Sequence, residues 1–212
     1  MKNAIVVGAG GHARVIISLL RECGKVPIAI LDINEPQAGE LIMGIPVVSA
    51  KTSLIDFSEN SQFDFYIAMG DNNSRLFWWE KLTSKGLSCP NLISPFAKID
   101  ITTSLGSGNI ICANVFIGPE VIVGSNNIIN TGAIIEHEVV IGSHSHLAPG
   151  SIIAGRVNTS DLCFFGAGST VIDKLKVSRG VTLGAGGILI RHAEVENGIY
   201  TGCPAILTRR KS

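Results

Sequence analysis

Between Ile99 and Leu207 the chain places a buried-type residue at every sixth position. The series runs Ile99, Leu105, Ile111, Ile117, Val123, Ile129, Ile135, Ile141, Leu147, Ile153, Thr159, Phe165, Val171, Val177, Leu183, Leu189, Val195, Thr201 and Leu207. Only Thr159 and Thr201 are not plainly apolar. Small or turn-prone residues often follow the beat, as in Ile117-Gly118, Val123-Gly124, Ile141-Gly142, Phe165-Gly166 and Leu183-Gly184. This period fits neither a helix nor an alternating strand. It predicts a parallel β-helix, in which each hexad is one short strand and one corner and three hexads close a triangular coil. The segment then holds about six coils.

Before about residue 95 the beat is absent and strands alternate with helices. Ala4-Ile5-Val6-Val7 reads as a buried strand, followed by the loop Gly8-Ala9-Gly10-Gly11-His12. Ala13 to Glu22 has helical spacing in Val15, Ile16, Leu19 and Leu20, and Gly24 closes it. Ile28 to Leu31 is a second strand ending at Asp32, Ile45 to Val48 a short strand or edge, and Phe63 to Met69 a further strand. Ser74 to Ser84 reads as a helix with Leu76 and Trp79 on its apolar face. Such alternation implies a small parallel sheet, one Rossmann-like half. The stretch between Pro90 and Pro95 is the expected linker. The expected domains are 1–92, α/β, and 96–212, β-helix.

Composition changes this picture little. Seventeen Lys and Arg balance seventeen Asp and Glu, which argues against a nucleic-acid partner. The glycines concentrate in the repeats, as many tight corners require. The five cysteines are scattered and odd in number, with no CxxC or Cys/His metal spacing, so free thiols and a cytoplasmic location are expected. The first apolar run, Ala4 to Val7, suits a strand and is too short for a signal peptide or a membrane span.

Two segments carry candidate chemistry. The first is the loop Gly8-x-Gly10-x-x-Ala13, which leaves a strand and opens a helix. Glycines there let backbone approach a phosphate, and the helix start adds N–H groups. Asp32, closing the second strand, suits a sugar hydroxyl. The domain is too short for both halves of a dinucleotide fold, so a nucleotide attached to another group is the preferred ligand. Tight strand–helix packing is the alternative reading of these glycines. His12 is either a phosphate contact or a polar surface residue. Asp71, Asn72 and Arg75 follow the next strand on the same carboxyl-end side of the sheet, as ligand contacts or as helix capping.

The second segment is Asn130 to Gly150, which holds His137, His144 and His146. With Ile135 pointing inward, His137 falls on a corner. An imidazole there can take a proton from an amine or hydroxyl, and Glu138 beside it can hold the tautomer. Solvated corner histidines are the alternative. Clustered histidines also admit zinc, with His144 and His146 sharing a face and a third ligand from elsewhere.

These residues together resemble the NeuD family of sialic acid O-acetyltransferases, which includes the nucleotide-sugar N-acetyltransferases of bacillosamine and perosamine type. The likeness covers essentially the whole chain. It is carried by Gly8 to His12, Asn130-Thr131, Ile135 to Glu138, His146 to Gly150 and Gly202-Cys203-Pro204-Ala205. Asp71 stands where relatives often have Asn. The resemblance implies a left-handed β-helix, a homotrimer with active sites between subunits, and acetyl-CoA as co-substrate with no metal. By the same resemblance, Gly10, His12, Asp32 and Arg75 lie in segments that hold a uridine diphosphate amino sugar. His137 becomes the general base and Glu138 its partner. Asn130 lies near the acceptor amine. His146 and Gly155 meet acetyl-CoA, and Ala167 and Ala185 line the groove for its pantetheine arm. The expected activity is N-acetylation of a nucleotide-linked amino sugar. O-acetylation of a sialic-type sugar, a zinc-dependent lyase and a non-catalytic trimeric scaffold are the rivals.

Overall fold

A computed structural model describes residues 3–51, 57 and 63–211. It divides into two compact units, Met1–Pro95 and Phe96–Ser212. No helix among the described residues is long and apolar enough to cross a membrane.

The first unit contains β1 (Asn3–Val7), α1 (Gly11–Glu22), β2 (Pro27–Asp32), β3 (Leu41–Ile42), β4 (Ile45–Ser49), β5 (Phe63–Ile67) and α2 (Asn72–Thr83). The strands lie in the order β3-β4-β2-β1-β5. β1 pairs in parallel with both β2 and β5, and only the short β3 runs antiparallel to its neighbour. Ile5, Val7, Leu31, Phe65 and Ile67 pack with Trp78 and Leu82 of α2 in one core.

Both helices differ in detail from the sequence expectation. α1 buries Ala13, Ile16, Ile17, Leu19 and Leu20 and leaves Val15 outside. α2 buries Asn72, Arg75, Trp78 and Leu82, whereas Leu76 and Trp79 are half-buried. A buried arginine and asparagine break the apolar stripe, so hydrophobicity alone points to the wrong face. The expected linker contains a strand, Leu92–Ile93.

The second unit is a left-handed parallel β-helix. Its two-residue strands pair at an offset of one coil: Phe116 with Ile134, Ile122 with Val140, Ile128 with His146. Each partner lies 18 residues on, which is three hexads. Three sheets result. Sheet I runs from Lys98–Ile99 to Ile188–Leu189, sheet II from Ser104–Leu105 to Lys176–Val177, and sheet III from Ile110–Ile111 through Thr182–Leu183 to a terminal hairpin. The second residue of each strand points inward. Ile111, Ile117, Ile129, Ile135, Leu147, Ile153, Phe165, Val171 and Leu183 are all fully buried.

The beat stops at Leu189. Thr201 and Leu207, expected inside, are exposed on the antiparallel hairpin Gly198–Gly202/Ala205–Arg210. Tyr200 takes the inward place instead, at 7% exposure. Gly198–Gly202 still pairs in parallel with Thr182–Leu183, but Leu183 faces Tyr200, an offset of 17 residues where the coils use 18, so the inward place passes from Thr201 to Tyr200; Leu207 lies on the returning strand.

A second period accompanies the first. From Gly108 to Gly186 every sixth residue, three places after the buried one, has a positive φ. These residues make the corners. On the corner between sheets III and I they are Asn114, Gly132, Gly150, Gly168 and Gly186. On the corner between sheets I and II they are Glu120, Glu138, Arg156 and Lys174, with no glycine. A side chain in that conformation costs about 1 kcal/mol more than glycine.

Inside the corner between sheets II and III, buried amides are satisfied by a column of side chains. Asn109 Oδ1 accepts from Asn127 N (2.9 Å), Asn127 Oδ1 from Ser145 N (2.7 Å), and Ser145 Oγ from Cys163 N (3.0 Å). The register can be checked by two isoleucines. Ile153→Ala, inward and fully buried, is expected to cost about 2–5 kcal/mol. Ile122→Ala, outward and 52% exposed, should cost less than about 0.5 kcal/mol. Equal losses in denaturant titrations contradict this inward–outward assignment.

Candidate functional site

In the first unit, β1 lies between β2 and β5, so the chain reverses direction across the sheet at β1 and β5. In open parallel sheets ligands gather at such a switch point, beyond the carboxyl ends of the strands. The loops after β1 and β5 meet there. Gly8 has φ +111°, and a Cβ on it would lie 2.9 Å from Met69 Cε and 3.2 Å from the Ala68 carbonyl oxygen. Only glycine fits. Gly10 is the N-cap of α1, exposed and with nothing within 4 Å of a built Cβ, so its backbone is open to an approaching group. His12 follows in the first turn of α1, half-buried. Asp32 ends β2, and its Oδ1 accepts from Asn34 N (3.4 Å).

The residues after β5 are engaged in holding their own loop. Asp71 caps α2, and its Oδ1 accepts from Ser74 N and Ser74 Oγ, both at 2.8 Å. Arg75 is 1% exposed. It donates to the carbonyls of Met69 (3.1 Å) and Gly70 (3.3 Å) and to Asn72 Oδ1 (2.7 Å). Desolvation pulls its pKa down and Asp71 opposes that shift. A guanidinium stays protonated through this pH range. Asp71, Asn72 and Arg75 therefore shape the loop beside the switch point, with Arg75 turned into the protein.

In the second unit, His137 and Glu138 occupy the corner between sheets I and II, after the strand Ile134–Ile135. The His137 side chain is 48% exposed, open enough to meet a substrate. Glu138 Oε2 accepts from His137 Nδ1 (2.9 Å) and from Arg156 Nε (2.9 Å). Adjacent residues rarely face each other in this way. The left-handed φ of Glu138, +57°, turns its carboxylate back toward the preceding ring. The hydrogen bond from His137 and, after it, the bond and charge of Arg156 hold the Glu138 carboxyl below its ordinary range. An ionised Glu138 accepts only, so in the neutral ring Nδ1 carries the proton and Nε2 is the acceptor.

Gly155 lies one coil above His137. A Cβ there would stand 2.5 Å from His137 Nε2 and 2.7 Å from Cε1. The imidazole thus rests on the bare Cα of Gly155, and this glycine belongs to the seat of the ring.

Asn130, His146, Ala167 and Ala185 lie elsewhere. Asn130 Nδ2 is 3.3 Å from His146 Nε2, and the His146 ring stands edge-on to Phe164 at 5.2 Å. Ala167 and Ala185 are exposed on the corner between sheets III and I. His144 occupies the corner between sheets II and III, where Nδ1 is 2.9 Å from Asn126 Nδ2. It does not share a face with His146, because its backbone is left-handed and not extended. No group of three His, Cys, Asp or Glu is gathered to hold a metal among the described residues. The outer face of sheet I, with Phe116, Ile134, Ile152, Thr170 and Ile188, separates the Asn130–His146 edge from the His137 corner. Arg156 and the close fit of Gly155 were not among the sequence candidates in these roles. Adding 18 to 137 and 138 is the signal that finds both.

Residues 3–82 match the family model described as the PglD N-terminal domain. No curated protein matches the chain. Among solved structures, a mutant GDP-perosamine N-acetyltransferase from Caulobacter crescentus, in complex with CoA and GDP-perosamine, is 31% identical. The match covers 99% of this chain and 98% of that one, with a TM-score of 0.93. The chain belongs to the NeuD/PglD-type nucleotide-sugar N-acetyltransferases of the hexapeptide-repeat superfamily. It is an acyltransferase. The acetyltransferase domain of PglB from Neisseria gonorrhoeae is 26% identical, with 98% of this chain and all of that one aligned and a TM-score of 0.88. WeeI from Acinetobacter baumannii, 17% identical with a TM-score of 0.67, shares the fold.

The seat of the imidazole makes a sharp expectation for this family member. Gly155→Ala should displace the His137 ring and lower kcat by about 10–100-fold while leaving the melting temperature nearly unchanged. Steady-state kinetics beside a thermal melt check it, and an unchanged kcat contradicts the seat.

Proposed function

We propose that this enzyme transfers the acetyl group of acetyl-CoA to the amino group of a nucleotide-linked amino sugar, with His137 as general base and Glu138 as its partner. The observation that carries the base assignment is the 2.9 Å contact from His137 Nδ1 to Glu138 Oε2. It fixes the tautomer that leaves Nε2 as an acceptor. The nucleotide-sugar and CoA ligands of the Caulobacter relative, and the acetyl coenzyme A bound to the Neisseria domain, support the two substrates.

The chemistry follows from the dyad. As the neutral amine attacks the thioester carbonyl, His137 Nε2 takes its proton, a C–N bond forms and the C–S bond breaks. Glu138 stabilises the imidazolium, which then returns the proton toward the departing thiolate. Proximity contributes as much as proton transfer, since the nucleotide handle holds the amine at the corner. The switch point of the first unit, with Gly8, Gly10, His12 and Asp32, suits a phosphate and a ribose.

The active enzyme is a homotrimer with its sites between subunits. Two features support this. The His137 corner and the Asn130–His146 edge flank sheet I and do not meet within one chain. The face between them carries Phe116, Ile134, Ile152 and Ile188, where a solvated strand face would be polar. These side chains are already half-buried in one chain, so covering each contributes less than the ~1.5–3 kcal/mol of a fully exposed one.

Two experiments test the proposal. His137→Ala is expected to lower kcat about 100-fold or more, with CoA binding retained; an unaltered kcat in a correctly assembled variant refutes the base. UDP- and GDP-linked amino sugars and a sialic-type hydroxyl acceptor are offered with labelled acetyl-CoA. Transfer to the hydroxyl alone favours O-acetylation. Separately, Ile152→Arg should yield folded, inactive monomers by light scattering, whereas an active assembly of native mass rejects sheet I as the interface.

A further inference from the structure

Arg156 occupies the left-handed corner position one coil above Glu138, with φ +62°. Glycine fits that backbone better. Its side chain is 54% exposed, so it contributes little to a core. What it does is donate from Nε to Glu138 Oε2. That same oxygen accepts from His137 Nδ1, while Oε1 has no partner among the described residues. The backbone reinforces the arrangement, with Arg156 N donating to the His137 carbonyl at 3.0 Å.

We infer that Arg156 is a positioning residue of the dyad: it fixes the Glu138 carboxylate against the imidazole and limits how strongly that carboxylate stabilises the imidazolium. The inference rests on His137 acting as base. Two donors on one oxygen share one acceptor. An oxygen shared with a cation pulls less strongly on Nδ1–H than an unshared one, and the cation itself disfavours a second positive charge nearby. The dyad therefore gives its proton back more readily after transfer. The other groups around this corner leave Arg156 as the cation on the carboxylate. The coil below brings Gly118 and Pro119 under His137 and Glu120 under Glu138. On the coil above, Gly155 meets the ring. One coil further, Lys174 pairs with Asp173 at 3.4 Å.

The test is a set of variants of the full assembled enzyme: Arg156→Gly, Arg156→Lys, Glu138→Gln and the double Glu138→Gln/Arg156→Gly. Arg156→Gly suits the corner, so the melting temperature should hold or rise. Its kcat should nevertheless fall about tenfold, with both KM values within about twofold. The acid limb of kcat should move up by about one pH unit, because the carboxylate is then shared with no cation. Arg156→Lys should restore both, since the arginine uses a single N–H and lysine supplies one donor and the same charge. The double variant should be no slower than Glu138→Gln alone, because Arg156 acts through Glu138. An Arg156→Gly enzyme with native kcat and an unmoved acid limb overturns the inference, as do additive losses in the double variant. If His137→Ala keeps full activity, the base assignment itself has failed. If His137→Ala is inactive while Arg156→Gly behaves as native, only the role of Arg156 falls.

Discussion

The backbone ladder between coils is the constraint on which the second unit depends. From Asn126 to Gly186 each corner amide donates to a carbonyl one coil below, as Glu138 N does to Pro119 O (2.9 Å) and Arg156 N to His137 O (3.0 Å). The ladder repeats every 18 residues because three strands and three corners close one turn. Residues that act together are therefore arranged in columns. His137 stands between Pro119 and Gly155, and Glu138 between Glu120 and Arg156. A residue's chemical neighbour is the one a coil away. The bond between His137 and Glu138, neighbours in the chain itself, exists because a left-handed residue sits at the corner.

Corner conformation also explains where side chains are kept. All three corners impose a positive φ, and glycine relieves it. The corner between sheets III and I uses glycine at four of the five positions from 114 to 186. The corner between sheets I and II uses Glu120, Glu138, Arg156 and Lys174 at the same structural position. Strain of this kind persists where the surroundings hold it and where the side chain serves a purpose. The contrast singles out one of three otherwise similar edges, and that edge carries the dyad. Smoothness marks the glycine edge, and charged side chains mark the other.

Much of this was legible in the sequence, and the failures have physical causes. The six-residue beat announced the coils because inward positions exclude polar groups over many repeats. The glycine loop was legible as the turn from β1 into α1, where Gly8 at φ +111° packs against Met69 and Ala68 and admits no Cβ. The face of α2 was missed because Arg75 is buried by hydrogen bonds to carbonyls, which no hydropathy pattern records. Thr201 kept the beat by coincidence, because the last step of sheet III is one residue short, and Leu207 because it lies on the returning strand of the hairpin. Arg156 was overlooked because charge pairs are habitually sought within a few residues, whereas this fold sets them 18 apart. The second period, positive φ at every sixth residue, leaves only a partial trace: glycine marks many of the corners, but residues as unlike as Asn126, Leu162 and Lys174 take the same conformation.

The thiols bear on the route of transfer. An acyl-enzyme route through sulfur needs an accessible thiolate near the base. Burial pushes the Cys163 thiol up to about 12, and its Sγ donates to the Ser160 carbonyl at 3.2 Å inside the prism. Cys89 is pushed up to about 12 by burial in the first unit, and Cys112 is buried within the coils. Cys203 is exposed but lies on the terminal hairpin. None adjoins the corner between sheets I and II in sequence or column. The His137 column offers no nucleophile of its own: below the ring is a proline, above it a glycine. What the corner provides is a half-exposed imidazole held at Nδ1 by Glu138. With His137 as the proposed base, that arrangement suits direct attack by the amine, because the ring has only to remove a proton while the two substrates react with each other.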